Sequence, residues 1–229
     1  MLSNHADRVG RDGRMVNDDS DRENPQRKEG AMSETETDVL IRPARAEDAP
    51  DLARLIDMAG GGVYAFLLEG LVPGLSAEEM LVPGLAATAG SFSHRHSGVA
   101  ERDGRVVGVA HAYPVDWMKT EDYSGLPPER LAHLANFTRT QDWGSYFLSA
   151  LAVDPAERRR GIARRLLAWV YERARAGGFD RVTLHVWADN AVAQRLYRRE
   201  NFQVVACAAV PWHERLPHQG GSILLRRSV

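Results

Sequence analysis

The feature that most constrains the fold of this 229-residue chain is a strand that runs through a glycine-containing turn into a long helix. The apolar run 146–153 predicts the strand, and apolar residues at helical spacing predict the helix over 159–177. Between them lies Arg-Arg-Arg-Gly-Ile-Ala at 158–163. The first N–H groups of a helix lack partners and carry the positive end of its dipole, and a glycine lets a large anion approach the main chain. The pattern predicts either a pyrophosphate site or a solvated basic helix start.

The elements predicted around this unit mix strands and helices without strict alternation. An Asp103-Gly104 pair between the apolar runs 94–101 and 105–113 predicts a β-hairpin. Further strands are expected at 39–44, 181–187, 202–210 and 222–226, and further helices at 46–59, with Asp48 as candidate cap, and at 190–200. This order predicts an α+β domain with a sheet of mixed strand direction.

A repeated pentapeptide is the basis for the secondary structure predicted over 71–87. Leu-Val-Pro-Gly-Leu occurs at 71–75 and again at 81–85, and we interpret both copies as turns. They would flank a short helix around 76–80, which Ser76 and Glu79 begin because they have the spacing of a capping box.

Composition excludes several classes of protein. With 29 basic and 31 acidic residues the formal net charge is −2, which argues against nucleic-acid binding through a general positive field. The single cysteine, Cys207, excludes an intrachain disulfide framework, and its apolar strand predicts a buried structural thiol. No apolar run approaches the ~20 residues of a membrane-spanning helix, so we expect a soluble, cytoplasmic protein without membrane attachment.

Residues 1–38 differ in composition from the remainder. They hold ten acidic and six basic residues, no aromatic residue and no periodicity, so we expect a disordered acidic tail before a single domain at 39–229. Two alternatives are a partner-binding arm and a translation start at Met15 or Met32.

Three motifs in the second half occur in a characteristic order. Residues 158–163 fit the pattern Gln/Arg-x-x-Gly-x-Gly/Ala and follow Leu-Ala-Val-Asp-Pro at 151–155. Further on, Asn190 and Tyr197 lie two helical turns apart and precede Glu-Asn-Phe at 200–202. On these motifs the chain resembles the GCN5-related N-acetyltransferase (GNAT) superfamily.

The resemblance covers about 40–229 and is strongest over 143–206. It implies a single α+β domain whose mixed, mostly antiparallel sheet has a splay between two parallel central strands and is flanked by helices. It also implies acetyl-CoA as cosubstrate and, since family members are often dimers, a homodimer as one expected assembly.

The resemblance assigns a role to each matching residue. Main-chain amides of the turn would hold the pyrophosphate, the strand end would pair with the pantetheine arm, and Asn190 would hydrogen-bond that arm. Tyr197 would be the catalytic acid that protonates the departing thiolate. The cofactor-binding residues are therefore expected to be Leu151, Ala152, Val153, Arg158, Arg159, Arg160, Gly161, Ile162, Ala163, Arg164 and Asn190.

The implied reaction is transfer of an acetyl group from acetyl-CoA to a primary amine by direct attack in a ternary complex. The amine must first lose a proton, yet the strand 146–151 has no glutamate, which many family members place there. Candidate bases are His111, Tyr113, Ser149 through water, Asp116, Glu121 and Asp142. The alternative function is a non-catalytic acyl-CoA-binding sensor.

The acceptor is expected near 60–90, 111–142 and 207–220, and it could be a small molecule or a peptide amine. Aromatic residues there suggest an acceptor with apolar surface: Tyr64, Phe66, Phe92, Tyr113, Trp117, Tyr123, Trp143 and Trp212. His94 and His96 would share one strand face, but two histidines without a third ligand predict no metal site.

Overall fold

The structure, a computed structural model, describes residues 39–229; the predicted tail at 1–38 lies outside the described residues. One seven-stranded sheet has the order β1-β2-β3-β4-β5-β7-β6. Its strands are β1 Leu40–Pro43, β2 Ser97–Arg102, β3 Arg105–Pro114, β4 Tyr146–Val153, β5 Arg181–Trp187, β6 Gln203–Ala208 and β7 Ser222–Ser228. The helices are α1 Ala49–Gly60, α2 Val63–Leu68, α3 Ala77–Ala86, α4 Pro128–His133, α5 Ala135–Arg139, α6 Ile162–Ala176 and α7 Ala191–Arg199.

Every neighbouring pair in this sheet is antiparallel except β4 and β5, which confirms the predicted α+β class and mixed sheet. These two parallel strands pair only where Tyr146 faces Val182 and Phe147 faces Thr183. Beyond that point they diverge, while β4 continues to pair with β3 as far as Val153. The sheet therefore contains the splay that the resemblance implies.

A bulge in β4 accompanies the splay. Ala150 pairs with His111 and Leu148 with Ala112, so Ser149 is an extra residue without a partner in β3. An extra residue bends a strand and increases its local twist. We attribute the divergence of β4 from β5 to this bend.

Two apolar layers cover the faces of the sheet. The amphipathic helix α6 buries Leu166, Leu167 and Val170 in one cluster. In the other cluster, α1 buries Leu52 and Ile56 together with residues of α3 and of strands β2 to β4. The two layers thus cover the centre of the sheet. The place where β4 and β5 diverge is left as an opening between these layers.

The start of α1 differs from the prediction at Asp48. The residue is at the cap position, but its carboxylate makes no capping hydrogen bond to α1. It accepts instead from the Arg45 main-chain N–H at 2.7 Å and from the Arg42 guanidinium at 2.7 and 3.0 Å. Burial raises the pKa of Asp48, but these hydrogen bonds outweigh it and lower the pKa below its ordinary value.

The predicted capping box begins α3. The Glu79 N–H donates to Ser76 Oγ at 3.2 Å, and the Ser76 N–H donates to Glu79 Oε2 at 2.8 Å. The second pentapeptide is not a turn, because α3 continues through Pro83 to Ala86. Burial of Leu81 and Leu85 outweighs the hydrogen bond lost at the proline.

Two further predictions are wrong. His94–His96 form a 3₁₀ turn before β2 rather than part of the strand, with His94 Nδ1 3.1 Å from the Leu85 carbonyl.

The second wrong prediction concerns Cys207 in β6, which was expected to be buried and is exposed. Among the described strands β6 pairs only with β7, so one edge is open, and its Val204 is 66% exposed.

Candidate active site

A cavity of about 530 Å³ opens where β4 and β5 diverge. Its lining includes β4 at 148–151, β5 at 185–187, and Asn190, Ala193 and Tyr197 around α7. It also includes residues of 59–67, Phe92, Tyr113 and residues of 118–139. It therefore extends from the splayed strands to the long insertion before β4.

The turn that begins α6 has an unusual main-chain conformation. Arg159 (φ 67°) and Gly161 (φ 76°) both adopt left-handed geometry. The N–H groups of Arg164 and Arg165 donate to the Gly161 carbonyl, and the N–H groups before them precede the first helical hydrogen bonds. A Cβ added at Gly161 would meet no described atom within 4 Å. The turn thus presents main-chain donors beside open space, as an anion site requires.

Several arginines of the turn also make contacts within the fold. Arg158 Nε donates to the Val153 carbonyl at 3.1 Å, which joins the turn to the end of β4. Arg160 lies 3.8 Å from Glu157, and Arg164 Nε donates to Glu200 at 2.8 Å. These contacts link the turn to β4 and to Glu200, and the guanidinium groups contribute positive charge.

Asn190, the residue before α7, and Tyr197 within that helix both line the cavity. Asn190 Oδ1 caps this helix by accepting the Ala193 N–H at 3.0 Å. Tyr197 is 8% exposed and its ring contacts that of Phe202 edge-on, with centroids 5.5 Å apart. Burial raises the pKa of Tyr197 well above its ordinary value, so the phenol remains protonated.

The structure brings some of the predicted site residues into the cavity and leaves others outside its lining. Leu151, Asn190 and Tyr197 line it. The strand end at 152–153 and the turn at 158–164 are not lining residues; they follow Leu151 along the chain, at the end of β4 and the start of α6.

Comparison with known proteins identifies the family. The family model described as "Acetyltransferase (GNAT) family" matches residues 75–202. The chain belongs to the GNAT family.

One curated relative and two solved structures illustrate the relationship. A segment of 59 residues is 39% identical to GCN5-related N-acetyltransferase 6, chloroplastic, from Arabidopsis thaliana; it spans 26% of this chain and only 20% of the plant protein. An N-acetyltransferase structure from Staphylococcus aureus Mu50 is 22% identical, with a TM-score of 0.61 over 82% of this chain and 100% of that one. The PaiA N-acetyltransferase from Thermoplasma acidophilum, solved with coenzyme A, is 13% identical, with a TM-score of 0.50 over 84% and 99%. Both structures show the GNAT fold.

Most candidate bases of this GNAT domain are outside the cavity lining. The ring nitrogens of His111 lie 2.8 Å from Ser97 Oγ and 2.9 Å from the Ser91 carbonyl, and burial lowers its pKa to about 3. Asp142 is paired with Arg181 at 3.1 Å. Asp116 and Glu121 are also absent from the lining.

Two of the candidate bases do line the cavity. Ser149 donates to the His111 carbonyl at 3.2 Å. Tyr113 is buried, which raises the pKa of its phenol well above the ordinary value. Neither group is a strong base at neutral pH.

A polar pair in the lining was not predicted from the sequence. His185 Nδ1 lies 2.8 Å from Ser222 Oγ, and its Nε2 lies 2.8 Å from the Thr140 carbonyl. Burial lowers the pKa of His185 to about 4, so the ring is neutral at neutral pH. The Thr140 carbonyl can only accept, which assigns the tautomer: Nε2–H donates to Thr140 and Nδ1 accepts from the Ser222 hydroxyl. Gln141 Nε2 also lies 3.3 Å from His185 Nε2. A sequence signal existed, because Val182, Leu184 and Val186 alternate in β5 and leave His185 on the opposite face.

Some of the aromatic residues expected near the acceptor line the cavity and others do not. Tyr64, Phe92, Tyr113 and Tyr123 line the cavity, whereas Phe66 is buried beside it and the tryptophans at 117, 143 and 212 are not lining residues. Nothing from 207–220 contributes to the lining. Among residues 39–229 no group of three potential metal ligands occurs, and no helix there is long and apolar enough to cross a membrane.

Proposed function

We propose that this GNAT-family protein transfers the acetyl group of acetyl-CoA to a primary amine. The observation that carries the proposal is the splay of β4 from β5, lined by Leu151 and Tyr197 and followed along the chain by the Gly161 turn. Family membership supports acetyl transfer from an acyl-CoA in general, and a protein of similar fold was solved with coenzyme A.

The residues present fit acetyl-CoA. The main-chain N–H groups of 159–164 would bind its pyrophosphate in the open space beside Gly161. Beyond Phe147 the edge of β4 is not paired with β5, so the main chain from Leu148 to Val153 offers donors and acceptors to the pantetheine arm. Asn190 lies across the splay, where its side-chain amide would contact that arm.

Acetyl-CoA supplies an activated thioester carbonyl, and the chain provides groups for both ends of the reaction. A β4 main-chain N–H at the splay stabilises negative charge on the carbonyl oxygen, an effect of roughly 3–4 kcal/mol at comparable sites. The protonated phenol of Tyr197 donates its proton to the leaving sulfur. No covalent bond to the protein is required, and the exposed Cys207 has no part in this mechanism.

The experiment has two steps. Calorimetric titration with acetyl-CoA tests the cofactor site, and release of the CoA thiol in the presence of primary amines tests the transfer. Amine-dependent thiol release supports the enzyme. Binding without turnover of any amine would instead support the sensor, for which the missing glutamate on β4 is the favouring observation.

A further inference from the structure

We propose that the acceptor is a monoamine whose amino group is attached to an apolar body of about the size of an aromatic ring. A compound with a second ammonium group would be rejected. This inference rests on the proposed acetyl transfer, since it describes the second substrate of the same cavity.

Part of the cavity lining is an apolar surface, which we call the apolar wall: Tyr64, Phe92, Tyr113, Tyr123, Leu134 and Phe137. Its rings pack against each other and against neighbours. Tyr64 and Phe92 meet edge-on with centroids 5.9 Å apart, and Phe137 lies 4.3 Å from the His185 ring. Rings held in this way form a surface that is ready for an apolar group before the substrate binds.

Charge in the lining disfavours a second cation. Within residues 39–229, no aspartate or glutamate lines the cavity, and Arg139, an exposed residue, is its charged member. The nearby carboxylates of Asp57 and Glu121 influence the wall tyrosines electrostatically but are not lining residues. An ammonium group buried here would lose its hydration without a carboxylate in the lining to replace it, and the positive charge of Arg139 does not offset that loss.

The same surroundings bear on how the amine loses its proton. The titratable groups that line the cavity are the neutral His185, the protonated phenols and Arg139, none of which is an anion that could pair with an ammonium ion. An apolar environment lowers the pKa of the bound amine, so it enters as the free base and its proton goes to bulk water. Amide formation then releases a second proton from the nitrogen, which balances the proton that Tyr197 gives to the thiolate and restores its phenol. A glutamate on β4 is therefore unnecessary.

The test compares kcat/KM for 2-phenylethylamine, 1,4-diaminobutane and a lysine-containing peptide, with acetyl-CoA in every assay. We expect 2-phenylethylamine to exceed the diamine and the peptide by roughly 100-fold. Equal or better turnover of the diamine or the peptide would overturn the inference.

A pair of matched variants tests the apolar wall itself. Tyr123 and Trp143 are each 38% exposed, but only Tyr123 lines the cavity. Tyr123→Ser should lower kcat/KM for 2-phenylethylamine about 10-fold and leave that for ethylamine unchanged. Trp143→Ser should change neither value. Equal effects of Tyr123→Ser on both amines would contradict the assignment of the wall.

Calorimetric titration with acetyl-CoA distinguishes a failure of the proposed function from a failure of the inference about the acceptor. If acetyl-CoA does not bind, the proposed function fails and this inference fails with it. If acetyl-CoA binds and the diamine or the peptide is the better acceptor, only the inference about the acceptor is wrong.

Discussion

Replacing Gly161 by alanine separates the anion site from the stability of the helix that follows it. Gly161 precedes α6 with φ 76°, and Gly178 follows the same helix with φ 78°. Both are exposed, and a Cβ at either position meets no described atom within 4 Å. Gly178→Ala is therefore a matched control for Gly161→Ala: the main-chain geometry and the free space are alike, and only the proposed pyrophosphate differs.

The expected magnitudes follow from these two features. Left-handed geometry costs an alanine about 1 kcal/mol relative to glycine, so both variants should lose about that much free energy of unfolding. For a domain of this size the midpoint of thermal unfolding should fall by about 2–4 °C in each. Only at Gly161 would the new methyl group occupy the space of the pyrophosphate, and we expect a roughly 10-fold rise in the Kd for CoA, equivalent to about 1.4 kcal/mol.

The assay is calorimetric titration of the wild type and both variants with CoA, accompanied by thermal unfolding without ligand. The account predicts equal losses of stability and a loss of affinity confined to Gly161→Ala. An unchanged Kd for Gly161→Ala, or an equal rise for Gly178→Ala, would refute the placement of the pyrophosphate.

Three further predictions concern the acid, a helix cap and a buried histidine. Tyr197→Phe should lower kcat roughly 100-fold with little change in the Kd for acetyl-CoA; an unchanged kcat would remove Tyr197 from the mechanism. Ser76→Ala should cost about 1 kcal/mol in urea unfolding because it removes the hydrogen bond to the Glu79 N–H, and an unaltered midpoint would contradict that role. Burial lowers the pKa of His111 from 6.5 to about 3, so the unfolded chain binds a proton that the folded chain excludes as the pH falls through this range. The free energy of unfolding should therefore drop by about 2 kcal/mol more in the wild type than in His111→Gln between neutrality and about pH 5; parallel pH profiles would show that His111 is not the cause.

The unit from β4 to α7 could be predicted because its signals are local and agree with each other. Apolar periodicity in α6, the glycine at 161 and the alternation in β5 each specify their own element without help from distant residues. The capping box at Ser76 is local for the same reason. The splay itself followed from the family resemblance, and the structure adds a bulge at Ser149 in the strand that diverges.

The features that sequence reasoning missed depend on tertiary contacts. Pro-Gly at 83–84 is a turn signal in isolation, but burial of Leu81 and Leu85 keeps these residues helical. An apolar strand does not reveal that it lies at the edge of a sheet, and this is why Cys207 was expected to be buried. The apolar wall combines α2, β3 and the insertion before β4, and only the folded chain brings Tyr64 and Phe137 to one cavity.

The most direct test of the central claim is detection of the acetylated amine itself. Purified protein is incubated with acetyl-CoA and 2-phenylethylamine, and both N-acetyl-2-phenylethylamine and free CoA are quantified by mass spectrometry. The account predicts equal amounts of the two products and a roughly 100-fold slower formation of both in Tyr197→Phe. Binding of acetyl-CoA without formation of an amide from any primary amine tested would contradict it.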